Sequence, residues 1–464
     1  MLTSEEASKL LRSNWHLAVL AFLVASTLAV YLKWLFSTSL MYGIDGPYYL
    51  LQVKNILATG FMKYPDPPLL FYVMALVSYA AGDVVVGVKV TIAVFVALAG
   101  VPMALLVSRV TGSKIGTIAS YAVFSYSPFL FRLVGDLIKN ACGLLFTLFC
   151  LYFLARSMSK PSFKDSLISS AFLLLTGLTH ILDFLVALAL AVLSPLVMFV
   201  SRRLRGERVN FKPFTPIYAS TALVVLLGCL TPAMGGDMGK VLAFLQSLGS
   251  AHPLEQLPPW TPLSLSFLVI GAILTLELLA KEASRSITYI ATPLLVLTVA
   301  FNAYPIIPHD FMWRLSLMNV IPAAFYSGVL VARVEAGSSV TALSVAVLVV
   351  MLVSFGGLRA SQSLMPTITP EEAEEISQVD DMLPSQVCVV APKTPLRYWA
   401  EFLMDRPVYD RADRAFERGF SEVVIMVEKG DRHPLTTPIY VGRWIEVYPA
   451  PRRLKALSLE LTLK

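Results

Sequence analysis

Long apolar runs with few charges are the feature that most limits how this 464-residue chain can fold. A run of roughly 20 apolar residues crosses a bilayer as a helix. Only 15% of the residues are charged, whereas soluble domains carry about 25%. The sequence therefore predicts a polytopic α-helical membrane protein. The net charge of +6 gives no support for nucleic-acid binding, because the basic residues sit in short loops between the apolar runs.

Eleven apolar runs are predicted to be transmembrane helices. They lie at 15–36, 88–108, 115–131, 138–155, 165–179, 184–200, 214–232, 262–280, 286–303, 313–332 and 339–357. A twelfth apolar run, 67–82, is shorter and begins with Pro67 and Pro68. Its length favours a shallow or re-entrant helix, which does not cross the membrane.

Basic residues in the loops indicate which side each loop faces. They are Arg109, Lys114, Arg156, Lys160, Lys164, Arg202, Arg203, Arg205, Arg208, Lys212, Lys281, Arg285 and Arg333. These loops lie on the same side of the membrane as Lys9 and Arg12 only if the run 67–82 does not cross the membrane. Cytoplasmic loops are rich in Lys and Arg. We therefore predict a plasma-membrane protein with a cytoplasmic N-terminus, an extracytoplasmic C-terminal domain and a long outer loop at 37–87. This loop is predicted to hold an interfacial helix at 48–59 and a membrane-embedded helix at 69–81.

The composition changes near residue 358, and a small soluble α/β domain is predicted over 358–464, after a transmembrane domain over 1–357. Thr369 is a helix N-cap candidate that precedes an acidic first turn. The β-branched segments 387–391, 423–427 and 439–447 are typical of strands. Residues 395–405 are predicted to form a helix between the first two strands.

The stretch Tyr42-Gly-Ile-Asp-Gly-Pro-Tyr-Tyr49 follows the first apolar run and carries one carboxylate, Asp45. Asp-Gly and Gly-Pro form turns, so a plain turn is one interpretation. Polar residues are scarce in this chain, and a carboxylate fixed at a membrane boundary is also a candidate general base. Both interpretations stay open from the residues alone.

Other ionisable residues lie at the predicted outer ends of the spans, where desolvation is costly unless they form a site or a satisfied pair. The candidates for substrate binding are Asp136, Lys139, His180, Asp183, His309, Asp310 and Arg314, and Asp66 and Arg132 lie at the same ends. No P-loop, dinucleotide fingerprint or His-Glu-x-x-His motif is present, so a nucleotide-sugar or ATP site has no support.

The chemistry of these residues suits a phosphosugar. Asp45 and Asp136 are candidates for a general base or for a divalent cation site. Arg314, with Lys139 or Arg132, is a candidate to hold a phosphate through its planar fork. His180 is a second candidate donor to that phosphate, with Asp183 fixing its tautomer. The alternative is a His–Asp pair that ties two helix ends together.

The layout resembles the polytopic glycosyltransferases of the GT-C fold. This group includes protein O-mannosyltransferases, lipid A aminoarabinose transferases and oligosaccharyltransferase catalytic subunits. The resemblance covers about residues 10–335. It rests on the Asp45 stretch and on the following short motifs: Tyr64-Pro-Asp-Pro-Pro-Leu-Leu-Phe-Tyr72, Ser127-Pro128, Arg132 with Asp136, Thr179-His180, and a Pro-rich segment that ends in Arg314.

The resemblance implies a polyprenyl-phosphate-linked sugar donor at the outer leaflet and an acceptor that is a protein, lipid or glycan. Asp45 would be the base, Asp136 the second acidic position, and His180 and Arg314 the ligands of the donor phosphate. A divalent cation, Mg²⁺ or Mn²⁺, would be held by Asp45 and Asp136. Asp136 is a single acidic residue where oligosaccharyltransferases have a pair, so metal dependence stays open.

Two other classes of function compete. A transporter or lipid flippase would place polar residues in the span interiors near the midplane, whereas here they cluster at the outer ends. A non-catalytic membrane scaffold is the third interpretation. The C-terminal α/β domain is predicted either to help bind the acceptor or to cap the outer face.

Overall fold

The computed structural model describes residues 4–208, 210–231, 239, 242–247, 257–280, 285–304, 306–307, 309–404, 406–431 and 437–450; for 4–13, 285–286 and 309–310 it describes the backbone only. The chain forms two compact units. A helical unit contains Met1–Phe36, Tyr64–Met74 and Lys89–Leu364, and an α/β unit contains Ser37–Lys63, Ala75–Val88 and Met365–Lys464. The domain boundary at 357/358 stays a prediction.

The helices before the C-terminal region are mostly long and apolar. They are α1 (Ser4–Leu35), α2 (Gly46–Thr59), α3 (Leu69–Ala81), α4 (Val84–Thr111), α5 (Lys114–Tyr126), α6 (Pro128–Asp136), α7 (Ile138–Ser159), α8 (Phe163–Thr179), α9 (Ile181–Leu204), α10 (Thr215–Leu230), α11 (Thr261–Ala280), α12 (Arg285–Phe301), α13 (His309–Leu317), α14 (Val320–Glu335) and α15 (Ser339–Ser363). A short 3₁₀ helix, Lys212–Phe214, leads into α10.

Among the described residues, eight segments are helical, long and apolar enough to cross a membrane. They are Asn14–Leu35, Val84–Thr111, Ile138–Ser159, Ile181–Leu204, Lys212–Leu230, Thr261–Ala280, Phe311–Glu335 and Ser339–Ser363. Large side chains such as Phe22 and Phe355 remain exposed on these helices, as expected for surfaces that face lipid. The chain is a multi-pass membrane protein, as the sequence predicted.

The other three predicted spans are helical but are not among these eight segments. The run 115–131 is divided at Ser127 into α5 and α6, because Pro128 occupies the first turn of α6 and the Ser127 hydroxyl accepts from Leu130 N at 3.2 Å. The runs 165–179 and 286–303 form α8 and α12, of 17 residues each. These two helices agree closely with their predicted bounds, and only the break at Ser127 was not predicted, because apolar content alone does not reveal it.

The two helices predicted in the outer loop are both present, as α2 and α3. Helix α3 has 13 residues and is therefore about 20 Å long at 1.5 Å per residue. The hydrocarbon core is about 30 Å thick. Helix α3 is too short to cross it, which agrees with the predicted re-entrant or shallow helix. Which side of the membrane it faces stays a prediction.

Close approach of helix backbones consolidates the helical unit. Helix α5 packs against α14 where Gly116 meets Gly328. A β-carbon added at Gly116 would lie 2.5 Å from the Gly328 carbonyl oxygen. Small residues at such crossings allow the dense van der Waals packing that holds membrane helices together. A side chain at either position would be too close to the backbone of the other helix, so both positions require glycine.

The C-terminal region contains a five-stranded sheet with the order β2-β1-β3-β5-β4. Its elements are α16 (Pro370–Met382), β1 (Cys388–Val390), α17 (Thr394–Leu403), β2 (Val408–Tyr409), α18 (Ala412–Glu417), β3 (Val423–Glu428), β4 (Tyr440–Val441) and β5 (Ile445–Pro449). Strand β1 pairs in parallel with β2 and β3, and β5 pairs antiparallel with β3 and β4.

The predicted elements of this region are confirmed with two changes. Thr369 caps α16 through a capping box with Glu372. The segment predicted as one strand, 439–447, is instead the hairpin of β4 and β5, which turns at 442–444. Strand β2 and helix α18 were not predicted, because two and six residues are too few to show a periodic pattern.

Candidate functional site

Paired ionisable side chains lie where the helices α6, α7 and α9 of the helical unit begin or end. Arg132 and Asp136, at the end of α6, form an ion pair of 2.5 Å. Lys139, in the first turn of α7, pairs with Asp66. His180 caps the start of α9, and its Nδ1 lies 3.4 Å from Asp183 Oδ2. The structure therefore brings together residues that the sequence placed in separate loops.

A break between α6 and α7 separates Asp136 from Lys139. Leu137 has φ −137° and ψ 61°, and its N–H donates to Leu133 O at 2.8 Å, which ends α6. Helix α7 begins at the next residue, so Asp136 and Lys139 belong to different helices although they are three positions apart. The break explains how one short stretch supplies a carboxylate and an ammonium group to different partners.

Lys139 is buried and is paired with the carboxylate of Asp66. It is 8% exposed, and Asp66 is 7% exposed. The Lys139 ammonium pairs with Asp66 and lies 5.7 Å from the centre of the Phe71 ring. Burying a charge is costly unless it is paired. Lys139 was predicted to bind substrate, and a direct phosphate contact would require the phosphate to displace Asp66.

Asp183 is fully buried against helix α7. A β-carbon added at Gly143 would lie 2.3 Å from Asp183 Oδ2, so only glycine leaves room for the carboxylate. The contact with His180 is an ion-pair distance without hydrogen-bond geometry. The proximity predicted for His180 and Asp183 is present, but both residues belong to the start of α9, so their contact lies within one helix end. Phosphate binding by either residue stays a prediction.

Trp260 connects α6 to the helix that carries Arg314. The Arg132 guanidinium lies 5.8 Å from the centre of the Trp260 ring, and Trp260 Nε1 donates to Ser316 Oγ at 2.8 Å. Helices α6 and α13 also pack against each other. Arg314 and the Arg132–Asp136 pair therefore lie on adjoining helices of the same unit.

Arg314 is exposed, unlike Lys139. Its guanidinium stacks on the Trp313 ring at 5.3 Å. Within the part of the chain whose side chains are described, no carboxylate pairs with it. An exposed guanidinium on an aromatic face keeps its fork of donors available to a phosphate or carboxylate.

The position of α13 is fixed by a pair of amides. Asn302 Nδ2 donates to Asn319 Oδ1 at 3.1 Å and to Thr298 O at 2.7 Å, and Asn319 Nδ2 donates to Ser316 O at 2.8 Å. Asn319 occupies the break between α13 and α14. These bonds connect the end of α12 to the helix of Arg314. His309 and Asp310 begin α13, but their side chains lie outside the described residues, so their predicted role is untested.

Asp45 belongs to the α/β unit, where it begins helix α2. The turn interpretation is right for the backbone: Gly43 has φ 71°, and Pro47 lies in the first turn of α2. The Asp45 carboxylate does not cap the helix and is half-buried. The turn thus presents a carboxylate at the start of a helix, and its predicted role as a base stays a prediction.

A metal site of three ligands is not formed by the described residues. No group of three or more His, Cys, Asp or Glu side chains is close enough in this part of the chain. Asp136, one of the two predicted ligands, is paired with Arg132. Cation binding by Asp45 and Asp136 stays a prediction, since one or two carboxylates together with substrate phosphates can hold Mg²⁺.

Three residues of this region were not singled out by the sequence: Trp260, Asn302 and Asn319. Trp260 lies in Pro258-Pro-Trp-Thr-Pro262, at the start of a predicted span, which is where aromatic residues mark the membrane interface. That position was a signal for an interfacial residue, although not for its contact with Arg132. The two amides carry no local signal, because their role depends on a contact between different helices.

No family profile and no curated protein matches the sequence, but solved structures do. The chain is similar to ArnT from Cupriavidus metallidurans bound to undecaprenyl phosphate, with 14% identity, a TM-score of 0.50, and coverage of 92% of this chain and 97% of that chain. It is also similar to the arabinofuranosyltransferase AftD from Mycobacteria, with 13% identity and a TM-score of 0.54 over 92% of this chain. The chain spans 39% of the AftD chain. These similarities show that the chain has the GT-C fold, as the resemblance predicted.

Proposed function

We propose that this protein is a glycosyltransferase that moves a sugar from a polyprenyl-phosphate-linked donor to an acceptor at the outer face of the membrane. The observation that carries the proposal is the position of an exposed Arg314 on a helix that adjoins the paired residues of α6. The fold supports it, because one structure with this fold is bound to undecaprenyl phosphate and the other is an arabinofuranosyltransferase.

The donor's departing phosphate requires positive charge. When the bond between sugar and phosphate oxygen breaks, negative charge grows on the polyprenyl phosphate, and preorganised cations or N–H donors stabilise it. Arg314 suits this role because it is exposed and its guanidinium can bind two phosphate oxygens. Arg132 and Lys139 already have carboxylate partners. We therefore assign the first phosphate contact to Arg314 and assign positioning of the helices to the other two cations.

The acceptor requires a base. Its nucleophilic group must lose a proton as the new bond to the sugar forms, and a carboxylate within hydrogen-bond reach can accept it. Asp45 is the proposed base on the grounds of its place in the first predicted outer loop and of the family resemblance. Asp136 and His180 are proposed to contact the donor, with Asp183 holding His180 in place. The sugar and the acceptor are not specified by these residues.

Replacement of Arg314 tests the phosphate assignment. We expect Arg314→Ala to lower kcat/KM for the lipid-linked sugar about 100-fold, since loss of one donor to a developing oxyanion has this size. Arg314→Lys should give an intermediate value, because it keeps the charge and loses the fork. The measurement is release of polyprenyl phosphate from a panel of lipid-linked sugars in proteoliposomes, followed by mass spectrometry.

The matched control is Arg418→Ala, which removes an exposed arginine of the α/β unit and should leave turnover unchanged. Unchanged turnover in Arg314→Ala would remove the phosphate assignment. Movement of the lipid across the bilayer without cleavage of the sugar–phosphate bond would instead favour a flippase. The same assay with EDTA, and after Mg²⁺ or Mn²⁺ is restored, tests the predicted cation. Labelling of a C-terminal tag in intact cells tests the proposed extracytoplasmic side.

A further inference from the structure

Helix α2, which begins at Asp45, lies against helix α17 inside the α/β unit. Helix α17 connects the parallel strands β1 and β2 and is therefore anchored at both ends by the sheet. Its buried face includes Leu396 and Trp399, and Trp399 Nε1 donates to Thr367 Oγ1 at 2.9 Å. Helix α2 thus rests on a firmly held element that is more than 300 residues away in sequence.

The chain is fixed upstream of Asp45. Gly43 N donates to Met365 O at 3.2 Å, and Gly43 forms a parallel bridge with Pro366. The φ of 71° at Gly43 lies in the left-handed region, which side chains disfavour. The backbone two residues before Asp45 is therefore attached to the start of the C-terminal region.

The body of α2 is fixed by a ring contact and an ammonium group. The rings of Tyr48 and Tyr398 lie 5.3 Å apart. Lys54 Nζ donates to Phe402 O at 3.1 Å and lies 5.8 Å from the centre of the Phe402 ring. Carbonyls at a helix C-terminus lack partners within the helix and carry partial negative charge, so a lysine suits the end of α17.

The segment after α2 is fixed by a buried carboxylate. Lys63 forms an ion pair with Glu401 of α17, and the Glu401 side chain is 3% exposed. Gln52 is fully buried; its Nε2 donates to Tyr48 Oη at 2.9 Å and its Oε1 accepts from Lys63 N at 2.8 Å. Gln52 therefore connects the tyrosine contact to the ion pair, and both ends of α2 are held.

We propose that α17 positions Asp45 for catalysis, with Lys63, Glu401 and Gln52 as positioning residues that do not touch substrate. The inference rests on the proposed function of Asp45. Attachments before, along and after α2 restrain the helix that Asp45 begins, and a displacement of about 1 Å at a reacting group can lower the rate about 100-fold. A partly buried ion pair suits this role, because the buried Glu401 carboxylate is compensated only while Lys63 stays beside it.

The test uses the full-length protein in nanodiscs and two variants, Lys63→Met and Glu401→Gln. Hydrogen exchange of peptides covering 43–59 should rise at least about tenfold in both, while peptides from β1 and β3 keep their protection. In the transfer assay, kcat should fall about 10- to 100-fold with KM for the lipid-linked donor unchanged. The swapped pair Lys63→Glu with Glu401→Lys should recover most of both losses.

The control is Arg411→Met, which removes an exposed ion pair with Asp413 in the same unit, away from α2 and α17, and should change neither measurement. Unchanged exchange at 43–59 in both variants would overturn the inference. Equal loss of protection in β1 and β3 would also overturn it, because the pair would then be a general element of stability. If exchange rises as expected but the wild-type protein transfers no sugar, the restraint of α2 stands and the proposed function fails.

Discussion

Asp45→Asn is expected to lower the rate of sugar transfer at least about 100-fold, since a positioned general base contributes about 10²- to 10⁴-fold. Asparagine has nearly the same size and shape as aspartate, so the turn that starts α2 should persist. An amide cannot accept the proton of the acceptor's nucleophile as a carboxylate does. The loss should therefore appear in kcat, with donor binding preserved.

The measurement is turnover of a lipid-linked sugar in proteoliposomes, with binding of undecaprenyl phosphate and thermal stability measured on the same preparations. Because Asp45 does not cap α2, its replacement removes no capping hydrogen bond from that helix. The matched control is Asp381→Asn, which removes an exposed carboxylate from the last turn of α16. The control should behave as the wild type in all three measurements.

Turnover like that of the wild type in a folded Asp45→Asn protein would remove the central assignment. Loss of turnover together with loss of undecaprenyl phosphate binding would instead place Asp45 among the donor ligands. The two outcomes differ in KM and in lipid binding. The experiment therefore shows whether Asp45 is a general base that acts on the acceptor or a residue that binds the donor.

The fold could be predicted from the sequence because its determinants are local. Apolar runs of sufficient length specify membrane helices, and the residues Thr369 and Glu372 specify the start of α16 by themselves. Helix α3 was predicted at its observed bounds because Pro67 and Pro68 precede it and Gly82 follows it. What was missed also has a local cause: Ser127 and Pro128 start a new helix although the run 115–131 is apolar as a whole.

The candidate residues could be found from the sequence, but their partners could not. Asp66 and Lys139 are 73 positions apart, and Lys54 contacts a carbonyl 348 positions away. Such contacts depend on which helix ends meet, and no periodic pattern records that. Ionisable residues at span ends were predicted to mark a site or a satisfied pair. The structure shows pairs for Lys139 and Arg132 and an exposed side chain for Arg314.

Burial explains why Lys139 and Arg314 are assigned different roles. A buried cation that is paired with a carboxylate holds the two segments together, and its charge is already compensated. A cation that is exposed on an aromatic ring can exchange water for a phosphate at lower cost. The sequence grouped Lys139 with Arg314 as phosphate ligands because both are basic residues at the same predicted ends. Lys139 is buried and Arg314 is exposed. Burial depends on the tertiary structure, so the sequence pattern could not distinguish the two residues.

Lys139→Met should destabilise the protein by about 3–5 kcal/mol, the usual effect of removing one member of a buried ion pair. Methionine fills a similar volume, so little of the loss comes from a cavity. The cost arises because the buried carboxylate of Asp66 loses its paired cation. Unfolding by SDS in mixed micelles measures the change in the free energy of unfolding.

The double variant Lys139→Met with Asp66→Asn decides whether the loss is electrostatic. Removal of the unpaired carboxylate should restore at least about 1 kcal/mol, because contacting residues show coupling of about 0.5–3 kcal/mol. Lys160→Met, at an exposed position after α7, is the matched control and should leave stability unchanged. A stable Lys139→Met protein that no longer binds undecaprenyl phosphate would contradict this view. Lys139 would then be a ligand of the donor, and its pairing with Asp66 would be a state that the donor displaces.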